Sequence, residues 1–356
     1  MNGPSMPEDL VDRLQQLRAR ADAMPGAPDV FPVVAARKHR RRVIRRFQVA
    51  SLILVVVAST AGTTYVLARA FGVGKSQPNV TPFIRHGPRP RNGLIAYVSK
   101  AEGTSDIWVV GPDGTGNRNL EALSTTDFGP AWSPDGRLIA FSQWGAGTRG
   151  ISVMRADGSN VHRLTTGHSD YGAAWSPDGK RIAFARGKEI WVMKADGSNP
   201  YMLTRSTEGD REPSWSPDGT RIAFSRGKTG IWVIRPDNSG LHLVYASATS
   251  AQQPSWSPSG RLIAFQMDGN IVVVPADGGP PHSLTTGTSY LSVQPVWSPD
   301  GRFIVFERSI RGSGSTPGPK ELDVMNADGS HVRSLHVTAG GASALAPSWQ
   351  PVLRAT

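Results

Sequence analysis

The chain has 356 residues, of which 38% are hydrophobic, with 39 glycines and 28 prolines, a composition that favours short strands and turns over long packed helices. It has no cysteine, which excludes disulfides, thiolate metal sites, a cysteine nucleophile and a lipidated cysteine together. Its net charge is +11, and residues 1–46 hold ten Lys/Arg against five Asp/Glu, so much of the basicity is local.

In chain order, Ser5-x-x-Glu8 reads as a capping box with Pro7 in the first turn. Leu10, Leu14, Leu17 and Ala21 then recur on one helical face. Residues 5–22 are expected to form a short amphipathic helix, either marginal and unpartnered or a docking helix for a cytoplasmic or membrane-surface partner. Pro25, Pro28 and Pro32 make a spacer, and seven basic residues follow from Arg37 to Arg46. From Phe47 to Ala68 there are 22 residues without a charge. A helix of that length spans roughly 33 Å, matching a hydrocarbon core of about 30 Å. The Lys/Arg excess lies before this span, which orients the N-terminus inside and explains the basic cluster without nucleic acid. Ala68-Arg69-Ala70 has the form of a cleavage site, but the long preceding region and long apolar span favour an uncleaved anchor. The expected organisation is a cytoplasmic tail (1–46), a transmembrane helix (47–69), a Pro-rich linker (70–92) and an extracytoplasmic domain (93–353), placing the chain in the cell membrane as a single-pass protein.

Beyond Gly93 the sequence repeats. Trp-Ser-Pro-Asp-Gly occurs at 132–136, 175–179, 215–219 and 297–301, with a near copy at 256–260 and a truncated Trp349-Gln350-Pro351. Trp132, Trp175, Trp215, Trp256, Trp297 and Trp349 stand 43, 40, 41, 41 and 52 residues apart, the period of propeller blades with four strands each. Each full motif leads into an apolar trio such as Ile182-Ala183-Phe184, a second core such as Ile190-Trp191-Val192, a turn such as Asp196-Gly197 and a short strand near residues such as Leu203-Thr204. In Ser-Pro-Asp-Gly, Pro presets φ, Gly accepts a positive φ and Asp accepts hydrogen bonds from nearby amides. The tryptophans are expected to fill the gaps between blades. The Gly/Ser/Pro-rich segment Arg311–Lys320 reads as an insertion and accounts for the 52-residue spacing. Leu94-Ile95-Ala96-Tyr97 has no Trp motif before it, and Trp349 has no trio after it. The expected fold is therefore all-β: a six-bladed β-propeller of four-stranded blades closed by the C-terminal strand, preceded by one transmembrane α-helix.

These repeats resemble the TolB-type, WSPDG-repeat β-propeller family, and the resemblance covers residues 93–351. It implies a propeller fold, while the expectation of a binding role rests on the absent catalytic motifs and on the use of repeat scaffolds for interaction. TolB itself is a periplasmic partner of the peptidoglycan-associated lipoprotein and has an N-terminal α/β domain. Here an apolar span stands in that place, so that partner is not carried over.

The repetitive turns occupy one face of the blades, and the variable loops share the other, the usual place for recognition on a rigid scaffold. There the expected binding residues at the propeller mouth are Asp127, Asp170, Tyr171, Asp210, Arg211, Glu212, Gln253 and Gln294, with Tyr290 beside them. A mixed charged and aromatic rim suits an envelope protein, peptide or peptidoglycan-type glycan partner. No G-x-S-x-G elbow, H-E-x-x-H pair, Walker loop or dinucleotide loop is present, so neither an enzyme nor a cofactor or metal site is expected. The competing reading is an envelope glycan hydrolase or lyase using paired carboxylates such as Asp210 and Glu212. Signalling to the cytoplasmic tail is a further expectation of the anchored arrangement.

Overall fold

The computed structural model describes residues 91–352 apart from 102–103, 121–124, 146–147, 167, 288, 312–319 and 338–342. The tail helix, the apolar span, the linker up to residue 90 and most of the 311–320 insertion lie outside the described residues. Among the described residues there is no helix long and apolar enough to cross a membrane.

Those residues form an all-β, propeller-like array of antiparallel meanders. The first holds β1 (Arg91–Ala101), β2 (Thr104–Val110) and β3 (Arg118–Asn119). The second holds β4 (Thr126–Trp132), β5 (Leu138–Gly145), β6 (Thr148–Arg155) and β7 (His162–Arg163). Then come β8 (Asp170–Trp175), β9 (Arg181–Arg186), β10 (Glu189–Lys194) and β11 (Tyr201–Met202), followed by β12 (Asp210–Trp215), β13 (Ile222–Arg226), β14 (Gly230–Ile234) and β15 (His242–Ala246). The fifth is β16 (Ala251–Trp256), β17 (Leu262–Met267), β18 (Asn270–Pro275) and β19 (His282–Ser283). The sixth is β20 (Tyr290–Trp297), β21 (Phe303–Ile310), β22 (Lys320–Asn326) and β23 (Arg333–Ser334), and β24 (Ser343–Val352) follows. The third to sixth meanders are separate four-stranded sheets. β24 pairs antiparallel with β1, with Ile95 opposite Trp349 and Ala96 opposite Ser348. The first two meanders are joined by one parallel pair, Ser105 with Thr126.

Each Ser-Pro-Asp-Gly turn is held by its own side chains. In the first, Ser133 Oγ donates to Asp135 Oδ1 at 2.6 Å, Arg137 N donates to the same oxygen at 3.1 Å, and Leu138 N donates to Ser133 Oγ at 2.9 Å. Gly136 has φ of 69°, the conformation only glycine adopts freely. Burial works against ionisation of Asp135, but the Ser133 and Arg137 bonds outweigh it and lower its pKa.

The trio phenylalanines Phe141, Phe184, Phe224 and Phe265 are fully buried. The tryptophans cement neighbouring sheets. Trp132 packs on Ala96, Ile107 and Val109 of the first meander, Trp256 on Ala223, Ile231 and Val233 of the fourth, and Trp349 on Val305 and Leu322 of the sixth. Trp175 differs in being only half-buried; its Nε1 donates to the Ala131 carbonyl at 3.1 Å, as Trp215 Nε1 does to the Ala174 carbonyl at 3.2 Å. Burying a tryptophan removes roughly 150–250 Å² from water. At about 25 cal/mol/Å² that is about 4–6 kcal/mol gross, an upper bound.

One irregularity recurs. The first strand of each of the second to sixth meanders carries a bulge, and β24 shifts register against β1 at the matching place. Three residues before each tryptophan the backbone is left-handed: Gly129, Gly172, Glu212, Gln253, Gln294 and Ala346 have φ between 50° and 66°. In five of the six strands proline comes next, and its missing N–H breaks the ladder there.

Candidate functional site in the central cavity

The bulged strands face a cavity of about 650 Å³ lined by the first strands of five meanders and by β24. The bulge decides what reaches it. Gln253 N donates to Glu212 Oε2 at 2.8 Å, Gln294 N to Gln253 Oε1 at 3.0 Å, and Ala346 N to Gln294 Oε1 at 2.6 Å. Each side chain thus accepts from the backbone of the next repeat, and the three make a polar girdle around half of the wall. Ser225 Oγ also donates to Glu212 Oε2, at 2.9 Å. The other half carries Gly129, Gly172 and Ala346 at the same position, and a β-carbon on either glycine would meet nothing within 4 Å. Phe128, Trp144 and Tyr171 form that wall. Phe128 and Trp144 stand 4.9 Å apart, and the Arg149 guanidinium sits 4.1 Å from the Trp144 ring. The cavity therefore has an apolar, open side and an amide-and-carboxylate side.

Glu212 faces this cavity but is hemmed in by protein. Burial pushes its carboxyl up, opposed by the Gln253 and Ser225 bonds. Glu307, 2% exposed, is likewise raised by burial, and Lys320 Nζ at 2.6 Å pulls the other way.

Of the eight residues expected at the mouth, Tyr171, Glu212, Gln253 and Gln294 line the cavity, whereas Asp127, Asp170, Asp210 and Arg211 do not. The three aspartates are fully buried. Asp170 takes Nε and Nη2 of Arg186 at 2.7 Å each, and Asp210 takes Nε and Nη2 of Arg226 at 2.7 and 2.8 Å. Arg186 also lies against Trp191, and Arg226 against Trp232. Asp210 and Glu212 are two residues apart, yet one is bound in an ion pair between strands and the other faces the cavity. They do not form the carboxylate pair considered above. Sequence reasoning missed Phe128 and the glycine half of the wall. Counting back three residues from each tryptophan is the signal that finds the girdle.

Among the described residues Asp127 has no arginine bonded to it. Its cross-strand partner is Gln143, and its side chain accepts from Thr125 Oγ1 at 3.2 and 3.3 Å. Burial pushes its pKa up to about 7, the Thr125 bond lowers it, nearby Asp106 adds to the rise and Arg163 opposes it. The native state thus holds a proton that the unfolded chain releases near pH 4. Stability contributed by protonated Asp127 is present at low pH and is lost as pH rises from about 4 to about 7. At 1.36 kcal/mol per unit the total is about 4 kcal/mol. The melting temperature is expected to fall between pH 5 and pH 8, and Asp127→Asn to flatten that fall. Parallel profiles in thermal denaturation would remove Asp127 as its source.

The family described as TolB beta propeller domain matches residues 83–189 and 172–353. Over 50 residues, 14% of this chain, the sequence is 42% identical to a protein named Protein TolB homolog from Chlorobium luteolum, and the match spans 12% of that relative's length. Among solved structures, TolB from Acinetobacter baumannii has a TM-score of 0.62 at 21% identity, covering 73% of this chain and 67% of that one. The putative TolB from Agrobacterium tumefaciens has a TM-score of 0.57 at 20% identity, covering 73% of this chain and all of the other. At these identities the two structures speak to the fold.

Proposed function

The chain belongs to the TolB β-propeller family, and from that premise we propose that it is an envelope binding protein whose propeller takes a segment of a protein partner into the central cavity. The full reading is a six-bladed ring, its first blade completed by β24, held outside the cytoplasmic membrane by residues 47–69, with residues 1–46 in the cytoplasm, linker 70–92 between, and the propeller over 93–353. The observation that carries the binding role is the two-sided cavity wall. Phe128, Trp144 and Tyr171 offer aromatic surface where Gly129 and Gly172 leave room, and Glu212, Gln253 and Gln294 offer polar groups opposite. An extended peptide has apolar side chains and backbone amides to match both sides, and aromatic anchors dominate such interfaces.

The test is site-specific photo-crosslinking in native membranes washed with alkaline carbonate, which retain the chain only where it is anchored. A benzoylphenylalanine replacing Tyr171 is expected to give one protein adduct, and the same group replacing Tyr201, exposed on the repetitive-turn face, to give none. Trp144→Ala is expected to weaken that partner tenfold or more, on the order of 2 kcal/mol for a buried aromatic anchor. Equal labelling from both positions would sink the cavity reading. A second reading, a glycan hydrolase or lyase, draws on the raised carboxyl of Glu212 in the cavity. Turnover of a peptidoglycan fragment that disappears in Glu212→Gln would favour it over binding.

A further inference from the structure

Five residues before the tryptophan, the first strand presents a side chain to the second strand. In the second to sixth meanders the pairs are Asp127 with Gln143, Asp170 with Arg186, Asp210 with Arg226, Ala251 with Met267, and Ser292 with Arg308. Two of these are complete ion pairs. The pair on β20 and β21 has the guanidinium without the carboxylate. In the complete pairs it is Nε and Nη2 that grip the aspartate. Arg308 instead gives Nη1 alone to Asp323 Oδ2, at 2.8 Å, and the Tyr290 ring covers it at 3.8 Å. Its side chain is 32% exposed, against 16% for Arg186 and 11% for Arg226. A cavity of about 450 Å³ opens over Arg308 and Ser292, with Leu284, Tyr290, Phe306 and Val332 among its walls. None of its lining residues lines the central cavity.

We propose that this cavity binds a peptide carboxylate, which takes the place that Asp170 and Asp210 occupy in their own repeats and accepts from Nε and Nη2 of Arg308. A planar guanidinium held by a fixed neighbour is the side chain best suited to grip a carboxylate through two parallel bonds. The apolar walls seat the small aliphatic residues beside it. Asp323 and Glu321, the latter opposite Arg308 on β22, oppose an anion, but Asp323 is engaged by Nη1 and Glu321 accepts from Ser334 Oγ at 3.1 Å. The expected affinity is therefore weak, with Kd on the order of 1 mM.

The experiment titrates the full chain in detergent micelles with three peptides by calorimetry: N-acetyl-Ala-Ala-Ala as the free acid, its C-terminal amide, and N-acetyl-Ala-Asp-Ala amide. The free acid is expected to bind at least tenfold more tightly than its amide. Binding of the aspartyl peptide would show that a side-chain carboxylate serves as well as a chain terminus. Ser292→Asp supplies the carboxylate from within, so it is expected to abolish binding and raise the melting temperature. Arg308→Lys keeps the charge but loses the fork and is expected to weaken binding about tenfold. Melting curves of both variants separate loss of the site from loss of the fold. The proposal is overturned if neither carboxylate peptide binds the parent chain at about 20 mM, roughly twenty times the expected Kd. Undiminished binding in folded Ser292→Asp overturns it equally.

Discussion

A chain ending at residue 342 has no cooperative melting transition. Without β24, the edge of β1 loses its antiparallel partner, and Ile95 and Tyr97, both fully buried, lose the strand beside them. Trp349 leaves the cluster it forms with Val305, Leu322, Leu335 and Val337. Gln350 is also lost, which accepts from Leu94 N at 3.1 Å and donates to the Gly136 carbonyl at 2.9 Å, and so links the first and second meanders. Ser348 Oγ, the acceptor of Trp132 N, goes with it. The tryptophan alone is worth several kcal/mol, and the whole margin of a domain is about 5–15 kcal/mol. Circular dichroism against temperature should show a broad drift, and a synthetic peptide of residues 343–356 added in trans should restore a transition. A sharp transition within a few degrees of the parent would make β24 an accessory strand.

Arg226→Leu is expected to cost about 3–5 kcal/mol, because it leaves the fully buried Asp210 carboxylate without its partner. The double variant Asp210→Leu/Arg226→Leu is expected to recover most of that loss, since removing both charges also removes the penalty of burying one alone. A denaturant cycle on the two single variants and the double gives the coupling directly. Additive effects would mean that the pair is held apart by water and contributes little. The same cycle on Asp170 and Arg186 should behave alike, given the same geometry. Gln143→Arg, which would complete the pair for Asp127, tests the converse.

The repeat made the fold legible. The tryptophan spacing, the apolar trios and the Asp-Gly turns gave the meanders and their sequence order, because those features are local and recur. The site was half legible. Gln253 and Gln294 were picked out as variable-loop polar residues and do face the cavity, but Asp170 and Asp210 were picked out by the same criterion and do not. Alternation along a strand would put Asp210 and Glu212 on one face. The bulge between Arg211 and Ser214 breaks that alternation and sends them to different places. The arginine partners lie sixteen residues on, a distance set by strand register rather than by any motif, so charge and position alone do not pair them with the aspartates. Phe128 was obscured because nothing in its local sequence distinguishes a cavity wall from an outer strand.

The pairing of β1 with β24 also sets an order of events in time. β3 ends at Asn119 and β24 begins at Ser343, so the first meander is complete in every strand but one while more than 200 further residues are still to be made. At roughly 5–20 residues per second that wait lasts on the order of ten to fifty seconds. During it the edge of β1 stands uncovered, with unpaired amides and the apolar residues beneath them, the kind of edge to which another chain can add a strand. The oldest part of the fold is thus finished by the youngest. A growing chain of this protein is most open to misassembly early, and the window closes only when its last strand emerges.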